Sequence, residues 1–244
     1  MSLENQKVTI VGAGIGGLTA ALALRARGAD VTVLEQSGSI SEVGAGLQIS
    51  PNGFCVLRAL GLGDRFRAAA VRGQAVELRD YRRGDLVARL DLGLLPEDQP
   101  YFFIHRSDLI DLLGEAVREA GVKVRLLQKV EKVVPGACPE LHLANNVVQQ
   151  GGLVIGADGL HSRARQALNG ASAPFFTRQV AWRATIANKV GHPPVARVHM
   201  APKRHMVSYP LRGGDRVNLV MVQERMAWAD EGWHFRDDPD KLRA

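Results

Sequence analysis

The sequence predicts an α/β fold that combines a doubly wound parallel sheet with an antiparallel sheet. Residues 7–35 read as strand, glycine turn, helix and strand, which is the βαβ unit of parallel sheets. The apolar run 153–156 is typical of a strand that is buried on both faces of such a sheet. After residue 175 helical periodicity disappears, and short apolar runs separated by turn residues predict antiparallel strands.

Three glycines shape the turn after the first strand. Gly12, Gly14 and Gly17 have the G-x-G-x-x-G spacing directly after an apolar run. In this motif the first glycine permits a tight turn, the second lets the backbone approach a pyrophosphate at the helix N-terminus, and the third lets the helix pack closely on the strand. Glu35 follows the second strand, where a carboxylate accepts hydrogen bonds from a ribose hydroxyl and disfavours a 2′-phosphate. The unit therefore predicts a Rossmann-type site for a dinucleotide whose adenosine is not phosphorylated.

The segment between this unit and residue 100 contains a loop, short helices and a pair of strands. Residues 44–46 predict a glycine-rich loop that is able to lie against a flat ligand. A helix entry follows at Ser50. Residues 75–79 and 86–90 read as two strands joined by a turn.

The next part of the chain returns to alternating strands and helices. The apolar run 101–104 precedes a helix for which Ser107 is a candidate N-cap. Strands are predicted at 122–126 and 129–134, and the strand at 153–156 leads through an acid and a glycine into a short helix. The last strands are predicted at 180–187, 195–200, 205–211 and 217–223.

These elements divide the chain into two interleaved parts. Residues 1–72 and 101–173 carry the alternation of strands and helices, and we expect them to form the nucleotide-binding domain. Residues 73–100 and 174–244 carry the antiparallel strands, and we expect them to form a second, sheet-rich domain.

Composition and charge exclude several classes of protein. The chain has 244 residues and a net charge of +6. It lacks a basic stripe interleaved with aromatic residues, which is the pattern that predicts nucleic-acid binding. The charge instead favours anionic cofactors and substrates. No apolar run approaches the ~20 residues of a membrane span, and the first residues lack an apolar signal region, so we expect a cytoplasmic protein. Cys55 and Cys138 have no metal-ligand spacing, so free thiols and no metal site are expected.

A second motif makes a resemblance to a known family specific. Residues 158–165 fit the pattern D-G-x-x-S-x-x-R, and residues 105–108 read His-Arg-Ser-Asp. Supporting stretches lie at 43–52, 181–184 and 209–214. With the glycine motif and Glu35, these residues resemble the class A FAD-dependent aromatic hydroxylases, and in particular the salicylate and 3-hydroxybenzoate hydroxylases. The similarity extends over essentially all 244 residues.

The resemblance implies a fold and an activity. The nucleotide-binding part would be a glutathione-reductase-like FAD-binding domain, and the sheet-rich part would bind the substrate. The implied enzyme is an FAD-dependent monooxygenase that hydroxylates a phenolic or related aromatic acid. It would use NADH or NADPH and O2, through a C4a-hydroperoxyflavin. A homodimer is a further expectation.

The resemblance also assigns cofactor-binding residues. Arg106 would contact the ribityl or pyrophosphate part of FAD, for which a guanidinium fork is suited, and Val130 would approach the adenine through its backbone. Asp158 would lie near FAD and NAD(P)H at the carboxyl end of a strand, with a capping acid for the next helix as the alternative reading. The full set is Gly12, Gly14, Gly17, Glu35, Gln36, Gly46, Arg106, Val130 and Asp158.

For catalysis, the resemblance singles out His205 and Tyr209. Residues four apart on a strand share a face, so both side chains would point toward the same pocket. In the hydroxybenzoate-hydroxylase branch, a histidine and a tyrosine at this spacing help to deprotonate and position the phenol, and a neutral histidine is a suitable base. Two partly buried sheet residues are the alternative reading. Trp182 and Arg183 would lie over the flavin or the substrate, with packing as an equal alternative.

The sequence departs from the family pattern near its C-terminal end. The family carries G-D-A-A-H-x-x-x-P after the sheet domain, and this sequence lacks it. The chain stops at residues 237–244, about where a helix leading back to the FAD domain would begin, so a truncated form is expected. Its uncovered apolar sheet faces would favour aggregation or partner binding. Two alternatives stay open: a non-catalytic nucleotide-binding fragment that acts through its exposed interface, and a pyridine-nucleotide dehydrogenase, against which residues 158–165 argue.

Overall fold

The computed structural model describes residues 2–40, 45–226, 238 and 240. The strands in chain order are β1 (Lys7–Val11), β2 (Asp30–Leu34), β3 (Gly46–Ile49), β4 (Val71–Arg72), β5 (Ala75–Asp80), β6 (Leu86–Asp91), β7 (Phe102–His105), β8 (Lys123–Arg125), β9 (Val130–Val134), β10 (Glu140–Leu143), β11 (Val148–Gln150), β12 (Leu153–Gly156), β13 (Gln179–Ala187), β14 (Val195–Ala201), β15 (Arg204–Leu211) and β16 (Arg216–Glu224). The α-helices are α1 (Ile15–Arg25), α2 (Pro51–Ala59), α3 (Gly63–Ala69), α4 (Arg106–Glu119) and α5 (Arg163–Asn169). None of the helices in the described ranges is long and apolar enough to cross a membrane. The helix expected near residues 237–244 lies outside the described residues, apart from two isolated positions.

The chain divides into two compact units, each built from segments that are distant in sequence. Unit 1 contains Met1–Ser41 and Leu109–Pro174, and unit 2 contains Glu42–Asp108 and Phe175–Ala244. The segments 42–72 and 101–108, which the sequence assigned to the nucleotide-binding domain, pack within unit 2. The division by function stays a prediction, because packing alone does not show which residues bind a cofactor.

A four-stranded parallel sheet organises unit 1. Its order is β12-β1-β2-β8, with Val8 of β1 opposite both Leu153 and Val31. Ile10 and Val33, in the middle of the two central strands, are fully buried. Helix α1 supplies the crossover that parallel neighbours such as β1 and β2 require. The predicted α/β class with a parallel, Rossmann-type sheet is confirmed.

A three-stranded antiparallel sheet, in order β11-β10-β9, completes unit 1. One buried cluster joins it to the carboxyl ends of β1 and β2. The cluster contains Val11, Leu34, Val130, Leu141 and Leu143. The end of the parallel sheet where open α/β sheets bind ligands is therefore firmly packed on one side.

A six-stranded mixed sheet forms the centre of unit 2, in order β13-β16-β15-β14-β5-β6. The predicted antiparallel succession is found for β14, β15 and β16. It is wrong for β13 and β14, because β13 pairs with β16 and β14 pairs in parallel with β5. The connection 188–194 is too long for a two-residue hairpin and contains Pro193 and Pro194, which cannot donate ladder hydrogen bonds.

A second sheet of unit 2 has the order β3-β7-β4. Gly46 begins β3 and pairs with His105 of β7. The loop predicted for residues 44–46 is therefore wrong at Gly46, and Gly44 lies outside the described residues. Ser107 is also not an N-cap, because it lies inside the first turn of α4 with its hydroxyl 2.6 Å from His105 Nδ1.

A row of opposite charges crosses one edge of the six-stranded sheet. Glu77 of β5 lies opposite Arg89 of β6 and Arg197 of β14. Both arginines bond its carboxylate, and Arg79 Nε donates to it at 2.9 Å. Burial would raise the pKa of Glu77, but the hydrogen bond and charge of Arg79, with the charges of Arg197 and Arg89, hold that pKa below its ordinary value. A carboxylate that is only 5% exposed therefore stays charged and joins three strands.

We expect Glu77→Gln to destabilise the chain and to change its response to acid. Because the pKa of Glu77 is lower in the folded than in the unfolded chain, its carboxylate contributes stability above the ordinary pKa of 4.5 and loses it as the pH falls through the folded value. Removing the charge leaves the arginines around a neutral group, which costs about 3 kcal/mol at neutral pH. Urea unfolding between neutral and acidic pH measures both effects.

Asp64→Asn is the matched control for this prediction. Asp64 pairs with Arg67 at 2.7 Å, but its side chain is fully exposed, so the control should leave the pH profile of stability unchanged. A Glu77→Gln variant with the stability and acid profile of the wild type would contradict the assigned role.

Candidate functional site

The turn between β1 and α1 holds the three motif glycines in different surroundings. Gly12 has φ +102°, and a Cβ there would collide with the carbonyl oxygen of Ala157. A Cβ on Gly17 would collide with the carbonyl oxygen of Gly12. A Cβ on Gly14, by contrast, would meet no atom within 4 Å in the described part of the chain. The fold itself requires two of the glycines, whereas Gly14 borders open space.

Helix α1 presents an anion-binding end to that space. Gly14 is its N-cap residue, no side chain caps it, and its first turn carries no acidic residue. The helix has 11 residues, so its N-terminal amides carry the usual partial positive charge. Open space beside uncapped amides fits a pyrophosphate group.

Glu35 ties the end of β2 to the glycine turn. Its Oε2 accepts a hydrogen bond from Ala13 N at 2.7 Å, and its Oε1 accepts one from Ser37 N at 2.9 Å. A carboxylate has about four acceptor positions, so capacity for a ribose hydroxyl is left. Gln36, the next predicted residue, is exposed. The acid predicted to bind ribose therefore also holds the turn that a pyrophosphate would approach.

Asp158 caps helix α5. Its Oδ2 accepts hydrogen bonds from Arg163 N at 2.6 Å and from Ala164 N at 3.2 Å. Its Oδ1 accepts one from the Ser162 hydroxyl at 2.6 Å, and Ser162 Oγ accepts one from Arg165 N at 2.9 Å. The D-G-x-x-S-x-x-R motif thus forms a helix-capping loop, which is the alternative that the sequence left open. A cofactor role for Asp158 stays a prediction.

Val130 lies at the start of β9 with its side chain in the core of unit 1. It is buried and packs in one cluster with Leu141 and Leu143. The side chain is therefore used for packing, and the predicted approach to adenine concerns only its backbone and stays a prediction.

Unit 2 brings Gly46 and Tyr209 into contact. A Cβ on Gly46 would lie 2.6 Å from Tyr209 Cε2, so only glycine fits against this ring. Asn218 Oδ1 accepts a hydrogen bond from Gly46 N at 2.7 Å. Tyr209 is 3% exposed, and its ring centroid lies 5.1 Å from that of Phe103. One predicted cofactor-binding residue therefore touches one predicted catalytic residue.

The charge of Arg183 acts on Tyr209, and the charge of Arg106 acts on Arg183. Arg183 lies on the same sheet face, because Thr185 pairs with Asn218 and Asn218 pairs with Tyr209. Burial lowers the pKa of the Arg183 guanidinium and the charge of Arg106 lowers it further, whereas Tyr209 raises it. Burial raises the pKa of Tyr209, against the effect of Arg183. Tyr209 therefore keeps its proton, and the arginines suit an anion.

Trp182 and Arg183 lie on opposite faces of the sheet. Successive residues of a strand point to opposite faces, and Trp182 pairs with Met221 on the other face of the sheet. The Arg225 guanidinium lies 5.6 Å from the Trp182 ring centroid. Only Arg183 of this predicted pair is on the Tyr209 face.

His205 shares the Tyr209 face of β15 but has different surroundings. Four residues along a strand correspond to about 13 Å. His205 lines a cavity of about 410 Å³ with Val198, Met200 and Val222. Tyr209 instead belongs to a buried cluster with Phe103. The catalytic roles of His205 and Tyr209 stay predictions.

Sequence reasoning missed Asn218. This side chain is 0% exposed and bonds the main chain of Gly46. Its signal was a polar residue between Val217 and Leu219 in an otherwise apolar strand. Buried polar groups need partners, but the strand pattern does not reveal which partner is chosen.

Comparison with known proteins identifies a matching family model and several related enzymes. Residues 5–232 match the family model described as FAD binding domain. The chain is 37% identical over 224 residues to 3-amino-4-hydroxybenzoate 2-monooxygenase of Streptomyces cremeus. It is 36% identical over 226 residues to 3-hydroxybenzoate 6-hydroxylase of Polaromonas naphthalenivorans. Each alignment covers 88% of this chain and 56% of the relative, so the chain spans little more than half their length.

Solved structures show the same fold. CtdE in complex with FAD and substrate has a TM-score of 0.84 at 22% identity, covering 96% of this chain and 61% of that one. The tetrameric 2-methyl-3-hydroxypyridine-5-carboxylic acid oxygenase has a TM-score of 0.74 at 23% identity, covering 90% of this chain and 59% of that one. At these identities the likeness concerns the fold alone.

We expect Gly14→Val to weaken FAD binding while the chain stays folded. The new side chain would enter the open space beside the α1 N-terminus, so the Kd for FAD should rise by about tenfold or more. The thermal midpoint should fall by only about 3 °C, the effect of a poorer N-cap. Flavin fluorescence titration and thermal melting measure the two quantities.

Gly12→Ala is the contrasting variant. Its positive φ and its collision with Ala157 should lower stability by about 3 kcal/mol whether or not FAD is present. Wild-type FAD affinity in Gly14→Val would exclude a pyrophosphate at this turn.

Proposed function

The chain belongs to the class A FAD-dependent aromatic hydroxylases, and from this premise we propose that it forms the FAD-binding and substrate-binding part of a monooxygenase that acts on a phenolic aromatic acid. The observation that most supports the substrate class is the position of Tyr209. A buried, protonated tyrosine shares one sheet face with Arg183, whose charge acts on it. A hydroxyl donor on the same face as a guanidinium group suits a ligand that carries both a phenol oxygen and a carboxylate.

The residues of unit 1 fit the adenosine diphosphate part of FAD. The amides at the start of α1 would hold the pyrophosphate, and Glu35 would accept from the ribose. Gly12, Gly17 and Asp158 would act indirectly by fixing the turns. Gly46 and Arg106, in unit 2, are proposed cofactor-binding residues by family resemblance. When bound, FAD supplies the electron transfer from NAD(P)H and the activation of O2.

The chain's own residues would position the aromatic acid and move one proton. Tyr209 keeps its hydroxyl proton because burial raises its pKa, so it would donate a hydrogen bond to the phenol oxygen. Arg183 would hold the carboxylate. His205 stays the proposed base for the phenol proton by family resemblance, but about 13 Å along β15 separates it from Tyr209, so this structure does not place it at the oxygen that Tyr209 would bind.

A polar cavity of unit 1 is the proposed site of NADH or NADPH. It measures about 460 Å³, and its lining includes His161, Arg163 and Arg165. Two guanidinium groups and an imidazole suit the phosphates of a pyridine nucleotide. A competition titration of NADH against NADPH would measure which of the two nucleotides the chain prefers.

We expect the purified 244-residue chain to show a flavin absorbance band and to oxidise NADH faster when 3-hydroxybenzoate is added. Tyr209→Phe should retain FAD but bind 3-hydroxybenzoate about tenfold more weakly, because it loses one hydrogen-bond donor. The change in the flavin spectrum on titration measures this affinity. Tyr81→Phe is the matched control, since Tyr81 is 46% exposed in the turn between β5 and β6.

Bound flavin that responds to no phenolic acid would contradict the hydroxylase proposal. A chain without flavin that self-associates would favour the second candidate, a non-catalytic nucleotide-binding protein that acts through an exposed edge. The edge strand β6 supports that candidate, because Leu86, Val87 and Leu90 are more than half exposed. Edge strands of this kind pair with further strands, which is also the basis on which we propose a homodimer.

The cytoplasm is the proposed location. Cys55 and Cys138 are free, exposed thiols, a state that a reducing compartment maintains.

A further inference from the structure

Asn218 makes one hydrogen bond that fixes its orientation. Its side chain is 0% exposed in the centre of β16. Oδ1 accepts from Gly46 N at 2.7 Å. A backbone N–H only donates, so the side-chain oxygen must face Gly46 and the amide nitrogen must face away.

The same contact presses the main chain of Gly46 onto two side chains. A Cβ on Gly46 would lie 2.8 Å from Asn218 Cγ, 2.6 Å from Tyr209 Cε2 and 2.8 Å from the Tyr209 hydroxyl oxygen. Real Cβ atoms do not approach other atoms this closely, so the Gly46 main chain lies nearer to both side chains than a residue with a Cβ could. The distance between the β3 main chain and the Tyr209 hydroxyl is therefore set at this point.

The amide nitrogen of the Asn218 side chain lowers the stability of the fold. Asn218 Nδ2 and Thr185 Oγ1 are buried and have no hydrogen-bond partner among the described residues. Thr185, Asn218 and Tyr209 form one cross-strand row over β13, β16 and β15. A buried donor without a partner destabilises a fold. Stability alone does not explain an asparagine here, whereas the bond to Gly46 does.

We propose that Asn218 is a positioning residue that locks the Gly46 main chain against Tyr209. This role rests on the proposed function. Asn218 would hold β3, which carries the proposed cofactor contact Gly46, at a fixed distance from the Tyr209 hydroxyl that would bind the phenol. Asn218 touches neither ligand in this assignment and acts through Gly46 and Tyr209.

Three variants test the role of Asn218. Asn218→Ala removes the bond to Gly46, and Asn218→Asp keeps an oxygen acceptor of the same reach. Ser208→Ala is the matched control. Ser208 precedes Tyr209 on β15, is also buried, and points to the other face of the sheet. The variant removes the hydrogen bond between Ser208 and His192, which measures 2.9 Å.

Two readouts need no ligand. Amide hydrogen exchange reports the bond at Gly46, with Leu47 as the internal reference. Fluorine NMR of fluorotyrosine-labelled protein reports Tyr209, because the chain has only 3 tyrosines and Tyr209→Phe assigns the signal. The third readout is the Kd of 3-hydroxybenzoate for the FAD-loaded chain.

Asn218→Ala should accelerate Gly46 exchange about tenfold, shift the Tyr209 resonance but not that of Tyr81, and raise the Kd of 3-hydroxybenzoate about tenfold. Asn218→Asp should restore Gly46 protection, and Ser208→Ala should leave all three readouts as in the wild type. The proposal is overturned if Asn218→Ala leaves the amide exchange of Gly46 and the Tyr209 resonance unchanged. It is also overturned if the variant has a lower thermal midpoint and shifts the Tyr209 and Tyr81 resonances alike. Failure of the wild type to bind 3-hydroxybenzoate would count against the proposed function alone, because Gly46 and Tyr209 decide the role of Asn218 without that ligand.

Discussion

Two backbone turns meet in unit 1 with no side chain between them, and the candidate dinucleotide site depends on this contact. The turn after β1 presses Gly12 against the Ala157 carbonyl of the turn after β12, and the following helix packs Gly17 onto Gly12. Because no Cβ fits, the carboxyl ends of these strands are held at backbone contact distance. Glu35 then binds the same turn from β2. The open space beside Gly14 is therefore bounded by main chain on its protein side, and main-chain amides are the donors that bind phosphate without a specific side chain.

The large sheet of unit 2 uses its two faces for different purposes. One face carries the charged row centred on Glu77, which joins β5, β6 and β14 through arginines. The other face carries Tyr209, Asn218 and Arg183, and two buried atoms there, Asn218 Nδ2 and Thr185 Oγ1, have no hydrogen-bond partner among the described residues. Residues that alternate along a strand make this separation possible. The Glu77 face links its strands through ion pairs, while the opposite face contains two buried side-chain atoms whose hydrogen-bonding capacity the described residues leave unused.

The sequence was informative where local chemistry decides the structure. The βαβ unit, the strands of the six-stranded sheet and the helix after Ser162 follow from apolar periodicity and capping residues, and all are present, whereas β3 and β4 were not predicted. Strand order could not be predicted in the same way, since the position of β13 beside β16 depends on pairing between residues 179–187 and 216–224. The site shows the same limit. The glycine spacing identifies the turn, but neither the bond from Ala13 to Glu35 nor the bond from Gly46 to Asn218 leaves a mark in a local pattern, because each joins distant segments.

The bond between Gly46 and Asn218 also constrains the order of folding. Its partners are 172 residues apart in the chain, and the β5–β14 pairing likewise waits for the second segment of unit 2. During synthesis, Gly46 lacks its partner Asn218, and the hairpin of β5 and β6 lacks its neighbour β14, until the last strands emerge. Contacts of such high sequence separation slow folding and expose unpaired strands meanwhile. The segment 109–174, which packs in unit 1, is made during that interval, so unit 1 can be complete while the large sheet of unit 2 still lacks four of its six strands.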